Sequence, residues 1–170
     1  MERPAATTMR GNPLTLIGPE LKPGDKAPDF KLVDNSLKDV RLADTGGQVR
    51  IISVVPSLDT PVCQKQTKNF NQQLAAYGDK INAITVSLDL PFAMNRFCGA
   101  EGITSLKSVS DYQDRSFGQN WGMLIEELKI LARGTFVLDA NGKVVYAEQV
   151  KEVAEETNYD AALAALKSLL

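Results

Sequence analysis

Apolar residues change their spacing several times along the chain, and each change marks an element. Leu14 to Ile17 is a short, mostly apolar run. Phe30-Lys31-Leu32-Val33 and Val40-Arg41-Leu42 read as short strands around the turn residues Asp34-Asn35-Ser36, a hairpin decorating one end of the fold. Arg50-Ile51-Ile52-Ser53-Val54-Val55 is almost continuously apolar and β-branched, which is how a strand covered on both faces reads. Cys63, Thr67, Phe70, Leu74 and Tyr77 then recur at the three- and four-residue steps of a helical stripe, which Gly78 ends. Thr60 predicts the N-cap of that helix, with Pro61 at the first helical position, where a missing N–H costs nothing.

Ile81 to Leu88 predicts a second buried strand, Pro91 to Cys98 a short helix stopped by Gly99, and Leu106 to Val109 a third strand. Ile130 to Leu138 and Lys143 to Ala147, joined by the turn Asp139-Ala140-Asn141-Gly142, read as an antiparallel hairpin. Tyr159 to Leu170, carrying Leu163, Leu166 and Leu170, closes the chain as an amphipathic helix. Strand–helix–strand–helix–strand alternation in the middle argues for an α/β sheet with parallel crossovers.

At 170 residues and 44% hydrophobic, the chain can bury a substantial core in one domain, expected over residues 13–170. Met1 to Asn12 is polar and rich in small residues and lacks the apolar region of a secretory signal. It is expected to be a flexible segment, with a cytoplasmic location as the default. The 19 basic and 21 acidic residues leave a net charge of −2 with no basic block, which argues against a nucleic-acid partner. Two cysteines do not make a disulfide-stapled secreted scaffold, and no apolar run approaches the roughly 20 residues that would cross a bilayer.

The chain has no histidine, so the usual proton shuttle is missing, and attention falls on the thiols. A free thiol is only about 3% ionised at pH 7, and a helix N-terminus or a nearby cation raises that fraction. Cys63, three residues past the expected cap, would set its sulfur beside the unpaired backbone N–H groups of the first turn. Its position is equally compatible with a small buried hydrophobe on a helix face. Arg133 interrupts the apolar strand reading Ile130-Leu131-Ala132-Arg133-Gly134-Thr135-Phe136-Val137-Leu138. It needs an anionic partner or a route to solvent, so it belongs either to an active site, as the cation facing Cys63, or to a sheet edge. Cys98, before Gly99, falls in the last turn of its helix, where fraying is cheap; taken alone it reads more readily as a second, inert cysteine.

There is no GxGxxG, Walker A or HExxH pattern and no Cys or His cluster suited to zinc, so neither cofactor nor metal is expected. Asp111 and Asp114, and Glu126 and Glu127, read as solvated charges rather than a catalytic acid pair. Trp121, Met123 and Leu124 are expected in the core or at an interface.

Pro56-x-x-x-Thr60-x-x-Cys63, the later Arg96-Phe97-Cys98, and Leu131-Ala132-Arg133-Gly134-Thr135-Phe136-Val137-Leu138-Asp139 together resemble the peroxiredoxins, and within them the atypical two-cysteine thiol peroxidases of bacteria. Gly24-Asp25-Lys26-Ala27-Pro28-Asp29-Phe30, Cys63-Gln64-Lys65-Gln66-Thr67-Lys68-Asn69-Phe70 and Ser87-Leu88-Asp89-Leu90-Pro91-Phe92-Ala93 extend the likeness over nearly the whole chain from about Gly11. The resemblance implies a thioredoxin-like α/β fold, a central mixed sheet flanked by helices with an N-terminal β-hairpin extension, and catalysis without metal or haem. It implies that Cys63 is the peroxidatic cysteine, that Thr60 and Arg133 polarise the peroxide and stabilise the thiolate, that Pro56 shields the pocket, and that Cys98 is the resolving cysteine. Peroxide substrates, thioredoxin as reductant and a homodimer follow from the same resemblance. Phe92 and Phe97 are candidates near the pocket for tolerance of alkyl hydroperoxides.

Three other readings stay open. A thioredoxin-type dithiol oxidoreductase would need CxxC, and neither Thr60 nor Gln66 is a cysteine. A non-catalytic scaffold would keep the fold with inert thiols, and a one-cysteine peroxidase would leave Cys98 idle.

Overall fold

The computed structural model describes residues 1–170. Its frame is a seven-stranded mixed sheet. Strand β5 (Val49–Val54) is buried at every position and sits in the middle, which is why its sequence shows no polar alternation. It runs parallel to β6 (Ile81–Ser87), which runs parallel to β7 (Lys107–Ser110). On its other side β9 (Gly134–Leu138) is antiparallel, followed by β10 (Val144–Gln149). The far edge is the antiparallel pair β3 (Lys31–Val33) and β4 (Asp39–Arg41), joined to β7 through Val33 and Ser110. The pair expected as a decorative hairpin is therefore an edge of the main sheet.

Helix α1 (Pro61–Leu74) supplies the crossover from β5 to β6, and α2 (Pro91–Glu101) the crossover from β6 to β7. Phe70 and Leu74 of α1 pack with Val49, Ile51, Val137 and, from α4 (Tyr159–Lys167), Leu166 on one face of the sheet. Ile52, Val54, Phe136 and Leu138 point to the opposite face, as the two-residue period of a strand demands. There they meet Phe30, Trp121 and Phe117, the last from the short helix α3 (Ser116–Asn120). Trp121 is 1% exposed, stacks at 4.9 Å on Phe117, and donates from its indole nitrogen to the Pro28 carbonyl at 3.0 Å.

The N-terminal segment, expected as flexible over residues 1–12, is instead a strand. Strand β1 (Glu2–Met9) pairs antiparallel with β2 (Asn12–Ile17), and β2 pairs with β8 (Leu124–Ile125) in a small second sheet. Met9 faces Asn12 across a two-residue turn in which Arg10 and Gly11 both have positive φ, the twist that suits a tight hairpin. Contacts far away in sequence hold it down. Arg3 donates to the carbonyls of Gly18 and Gly122, at 2.9 and 2.6 Å, and Thr7 to that of Val150 at 3.1 Å. A polar strand with few apolar residues gives no periodic signal, so composition alone reads as a tail.

Several boundaries also differ: α1 ends at Leu74 rather than running through Tyr77 to Gly78, and α4 ends at Lys167 rather than Leu170. Gly99 does not stop α2; the helix continues to Glu101 and ends at Gly102, whose left-handed φ of 64° closes the cap. Arg133 does not lie inside a strand but immediately before β9. No helix is long and apolar enough to cross a membrane.

Candidate active site

The C-terminal end of β5 and the start of α1 bring the chemistry together. β5 runs into Pro56, which is buried, and the loop Ser57–Asp59 leads to Thr60, the N-cap residue of α1. Cys63 is the third residue of the helix and is 0% exposed, packed with Val55, Leu58 and Met94 and touched by Phe97. Its stripe continues inward as expected through Thr67, whose hydroxyl donates to the Cys63 carbonyl at 2.9 Å.

Arg133 reaches this thiol from the position just before β9, the strand on the other side of β5. It is 2% exposed, and its Nη2 donates to Cys63 Sγ at 3.3 Å. Nη1 donates to Gln66 Oε1 at 3.0 Å and Nε to the Val153 carbonyl at 2.9 Å. The planar fork is thus held at three edges, and none of these partners is a carboxylate. Its hydrogen-bond partners are all neutral and Glu156 acts on it only through space, so a thiolate at Cys63 would be the anion in direct contact with it.

Gln66, one turn along from Cys63, is the residue that locks this arrangement. It is fully buried and its Nε2 donates to Ser53 Oγ at 2.8 Å, so strand, helix and guanidinium are tied in one chain. The sequence carried a signal for it: a glutamine three residues after Cys63, on the inward side of the helix, has to be satisfied by something. Ser53, polar within an apolar strand, is what satisfies it.

Thr60 is an N-cap by backbone but not by side chain. Its hydroxyl turns back to donate to the Ser57 carbonyl at 2.9 Å, and no side chain caps the first turn. The helix start therefore keeps its N–H dipoles free toward the mouth of the site, which suits an anion or a developing negative charge. Thr60 itself is exposed at that mouth. Asp89, beyond β6, shapes the preceding loop by accepting from Ser57 Oγ at 2.8 Å and from the Leu58 amide at 2.7 Å. Beside this loop lies a cavity of about 490 Å³ whose walls include Leu58, Ala93, Arg96 and Phe97. Phe92, near the N-terminus of α2, is 67% exposed.

Cys98 is not brought to Cys63. Both thiols are free, and Cys98 packs against the core on the α1–α4 side of the sheet rather than the small cluster around Cys63. Phe97 touches both clusters. Burial pushes the Cys98 thiol above its ordinary pKa, with a hydrogen bond from the Ser108 side chain acting the other way. A disulfide needs Cα atoms within about 7 Å, facing each other, so α2 would have to open for the sulfurs to join.

Asp111, expected as a solvated charge, is 0% exposed and accepts from the amides of Phe117 at 3.1 Å and Gly118 at 2.8 Å, capping α3. Burial raises its pKa to about 6 against those two hydrogen bonds. It lies outside the Cys63 site and its role is structural. No group of three or more His, Cys, Asp or Glu side chains is placed to hold a metal ion.

Residues 22–163 match the Redoxin family model. The thiol peroxidase of Bacillus subtilis is 52% identical over 98% of this chain and 99% of its own length. The crystal structure of a peroxiredoxin-like protein from Aquifex aeolicus superposes with a TM-score of 0.91 at 40% identity, covering 99% of both chains. A thiol peroxidase from Chromobacterium violaceum, at 22% identity and a TM-score of 0.83 over 95% of each chain, shares the fold. The mixed sheet with helices on its faces is thioredoxin-like, as the sequence resemblance implies.

Proposed function

The chain belongs to the Redoxin family, within its peroxiredoxin-type thiol peroxidases, and on that premise we propose that Cys63 reduces hydrogen peroxide and organic hydroperoxides. The observation that carries this reading is the guanidinium of Arg133, 3.3 Å from a fully buried sulfur and bonded to no carboxylate. In the first step the Cys63 thiolate attacks one oxygen of ROOH and the O–O bond breaks. The distal fragment leaves as an alcohol, or as water, after taking up a proton, and Cys63 becomes a sulfenic acid. Negative charge grows on both oxygens as the bond stretches, and fixed donors stabilise it most when they are already in place. Arg133 is such a donor, held by Gln66 and Val153; the uncapped first turn of α1 supplies others, and the Thr60 hydroxyl would add one on turning from the Ser57 carbonyl to the peroxide. Pro56, buried behind the loop, would keep water from the sulfur.

In the second step the Cys98 sulfur attacks the sulfenic sulfur, water leaves with the Cys98 proton, and a Cys63–Cys98 disulfide forms. A thioredoxin dithiol would return it to two thiols, becoming oxidised itself, which suits a reducing compartment such as the cytoplasm. Leu58, Ala93 and Phe97, on the apolar side of a cavity that Asp59, Arg96 and Glu101 also line, would take the alkyl part of an organic hydroperoxide, and a homodimer would cover the exposed Phe92.

Stopped-flow mixing of reduced protein with hydrogen peroxide or cumene hydroperoxide, followed by thiol counting, tests the reading. Rapid loss of both thiols is expected in the wild type, retention of the one remaining thiol in Cys63→Ser, and collapse of thioredoxin-supported turnover in Cys98→Ser. Thiols that persist for minutes in the wild type would replace this reading with a scaffold that keeps the fold without the reaction; normal turnover in Cys98→Ser would make it a one-cysteine enzyme.

A further inference from the structure

Helix α1, which carries Cys63, also holds the end of helix α2, which carries Cys98. Asn71 Oδ1 accepts from the amides of Thr104 at 2.9 Å and Ser105 at 2.7 Å, and its Nδ2 donates to the Gly102 carbonyl at 3.3 Å. Three backbone groups of the segment just after α2 are therefore satisfied by one side chain of α1. Outside it, Lys68 pairs with Glu101 at 2.9 Å, again α1 to α2.

The segment so held is the one that fixes Cys98. The Cys98 carbonyl accepts from the Gly102 amide at the helix cap and from the Ile103 amide at 2.9 Å. Ile103, between the residues that Asn71 grips, is buried in the core between the sheet and helices α1 and α4, with Phe70 and Leu106. Cys98 cannot leave its place without giving up both carbonyl bonds, and neither donor can follow it while Asn71 keeps residues 102–105 on α1.

We infer that Asn71, seconded by the Lys68–Glu101 pair, is a clasp that sets the rate at which the Cys63–Cys98 disulfide closes by holding the C-terminal end of α2 folded. This rests on the reading of Cys98 as the resolving cysteine. Asn71 is a positioning residue: it touches neither sulfur and takes no part in the attack on peroxide. The closing step is the one already balanced, sulfenic acid and thiol giving disulfide and water, and the clasp changes only how often Cys98 is free to take part. The clasp also delays resolution long enough for a second peroxide to carry the Cys63 sulfenic acid to the sulfinic acid, so its strength sets sensitivity to over-oxidation. Opening would return the half-buried Cys98 thiol to water and remove the burial that disfavours its thiolate, so release and activation coincide.

The test separates two rates in full-length protein: loss of the Cys63 thiol on mixing with peroxide, and disulfide closure, followed by acid quench and mass spectrometry. In Asn71→Ala the closure rate should rise about tenfold, the worth of one to two net hydrogen bonds. Thiol loss should stay within twofold of wild type, and the peroxide concentration that over-oxidises half the protein should rise. Asn71→Asp keeps both acceptor bonds and should close within about threefold of wild type. Lys68→Ala, at the surface, should accelerate closure by about twofold, and it keeps the test alive if Asn71→Ala does not fold. Closure that is unchanged or slower in Asn71→Ala, or thiol loss that changes in parallel with closure, would overturn the inference. A wild type that loses the Cys63 thiol and never forms the disulfide would instead overturn the role given to Cys98, and the clasp with it.

Discussion

Arg133→Met removes the cation from the Cys63 site while keeping a side chain of comparable length in the space. The guanidinium makes three hydrogen bonds, to Cys63 Sγ, Gln66 Oε1 and the Val153 carbonyl. Losing one preorganised charged donor at a centre of developing negative charge costs about 3–4 kcal/mol in the transition state, or roughly a hundred- to thousandfold in rate. Folding stability should respond less. The two oxygens left behind cost about 1–3 kcal/mol each, whereas a buried charge that costs several kcal/mol to desolvate is removed with them. The expected change in stability is under about 3 kcal/mol, so the variant should fold and the rate can be read. Arg133→Lys is the control, because it keeps the charge but cannot span three acceptors from one ammonium group. It should recover part of the loss and fall between Met and wild type. The assay is the second-order rate of Cys63 oxidation by stopped flow, with urea unfolding run alongside. An Arg133→Met rate within threefold of wild type would refute the argument that this guanidinium, rather than the helix N-terminus, supplies the stabilisation.

Gln66→Ala should slow peroxide reduction by about tenfold, less than the loss of Arg133, since the guanidinium keeps its Val153 bond but loses the neighbour that orients it. An effect equal to that of Arg133→Met would place Gln66 in contact with the peroxide. Asp111, raised by burial to about 6 against an ordinary 3.8, binds a proton more tightly in the folded state than in the unfolded one. Its contribution to stability is therefore fully present below pH 4 and is lost as pH rises through 6, about 3 kcal/mol by pH 7. Carboxyl-carbon NMR should show it titrating near pH 6, and a midpoint below 4 would contradict the assignment. Gly118→Ala would set a methyl 2.7 Å from Leu131 Cδ2 and 3.1 Å from Leu124 Cβ, so thermal unfolding should show a loss of about 1–3 kcal/mol. An unchanged midpoint would mean the core around α3 yields freely.

Elements whose burial is written in their own residues were legible in the chain. The β-branched run of β5, the three- and four-step stripe of α1 as far as Leu74 and the turn after β9 each carry a local signal, and each stands where that signal puts it; only the end of α1, expected at Gly78, falls short. Cys63 on the inward stripe and Arg133 as a misplaced cation were visible in the same way, because an unusual residue in an apolar pattern demands a partner. The resemblance to the peroxiredoxins joined the two; no spacing could, since they are brought together only by β9 lying beside β5.

Whatever depended on contacts between distant segments was decided by tertiary structure. Strand β1 is polar and earns its order from Gly18, Gly122 and Val150, so composition reads it as a tail. Asp111 carries the same charge as its exposed neighbours, and only packing against α3 makes it a buried cap. Gly99 and Gly102 are alike as letters; the helix ends at the second, in the left-handed conformation, and Asn71 of another helix satisfies the backbone that follows it. Local periodicity records which face of an element is buried, since that is settled by neighbours a few residues away. The partner a buried polar group finds is settled by the fold, and in this protein those partners make the site.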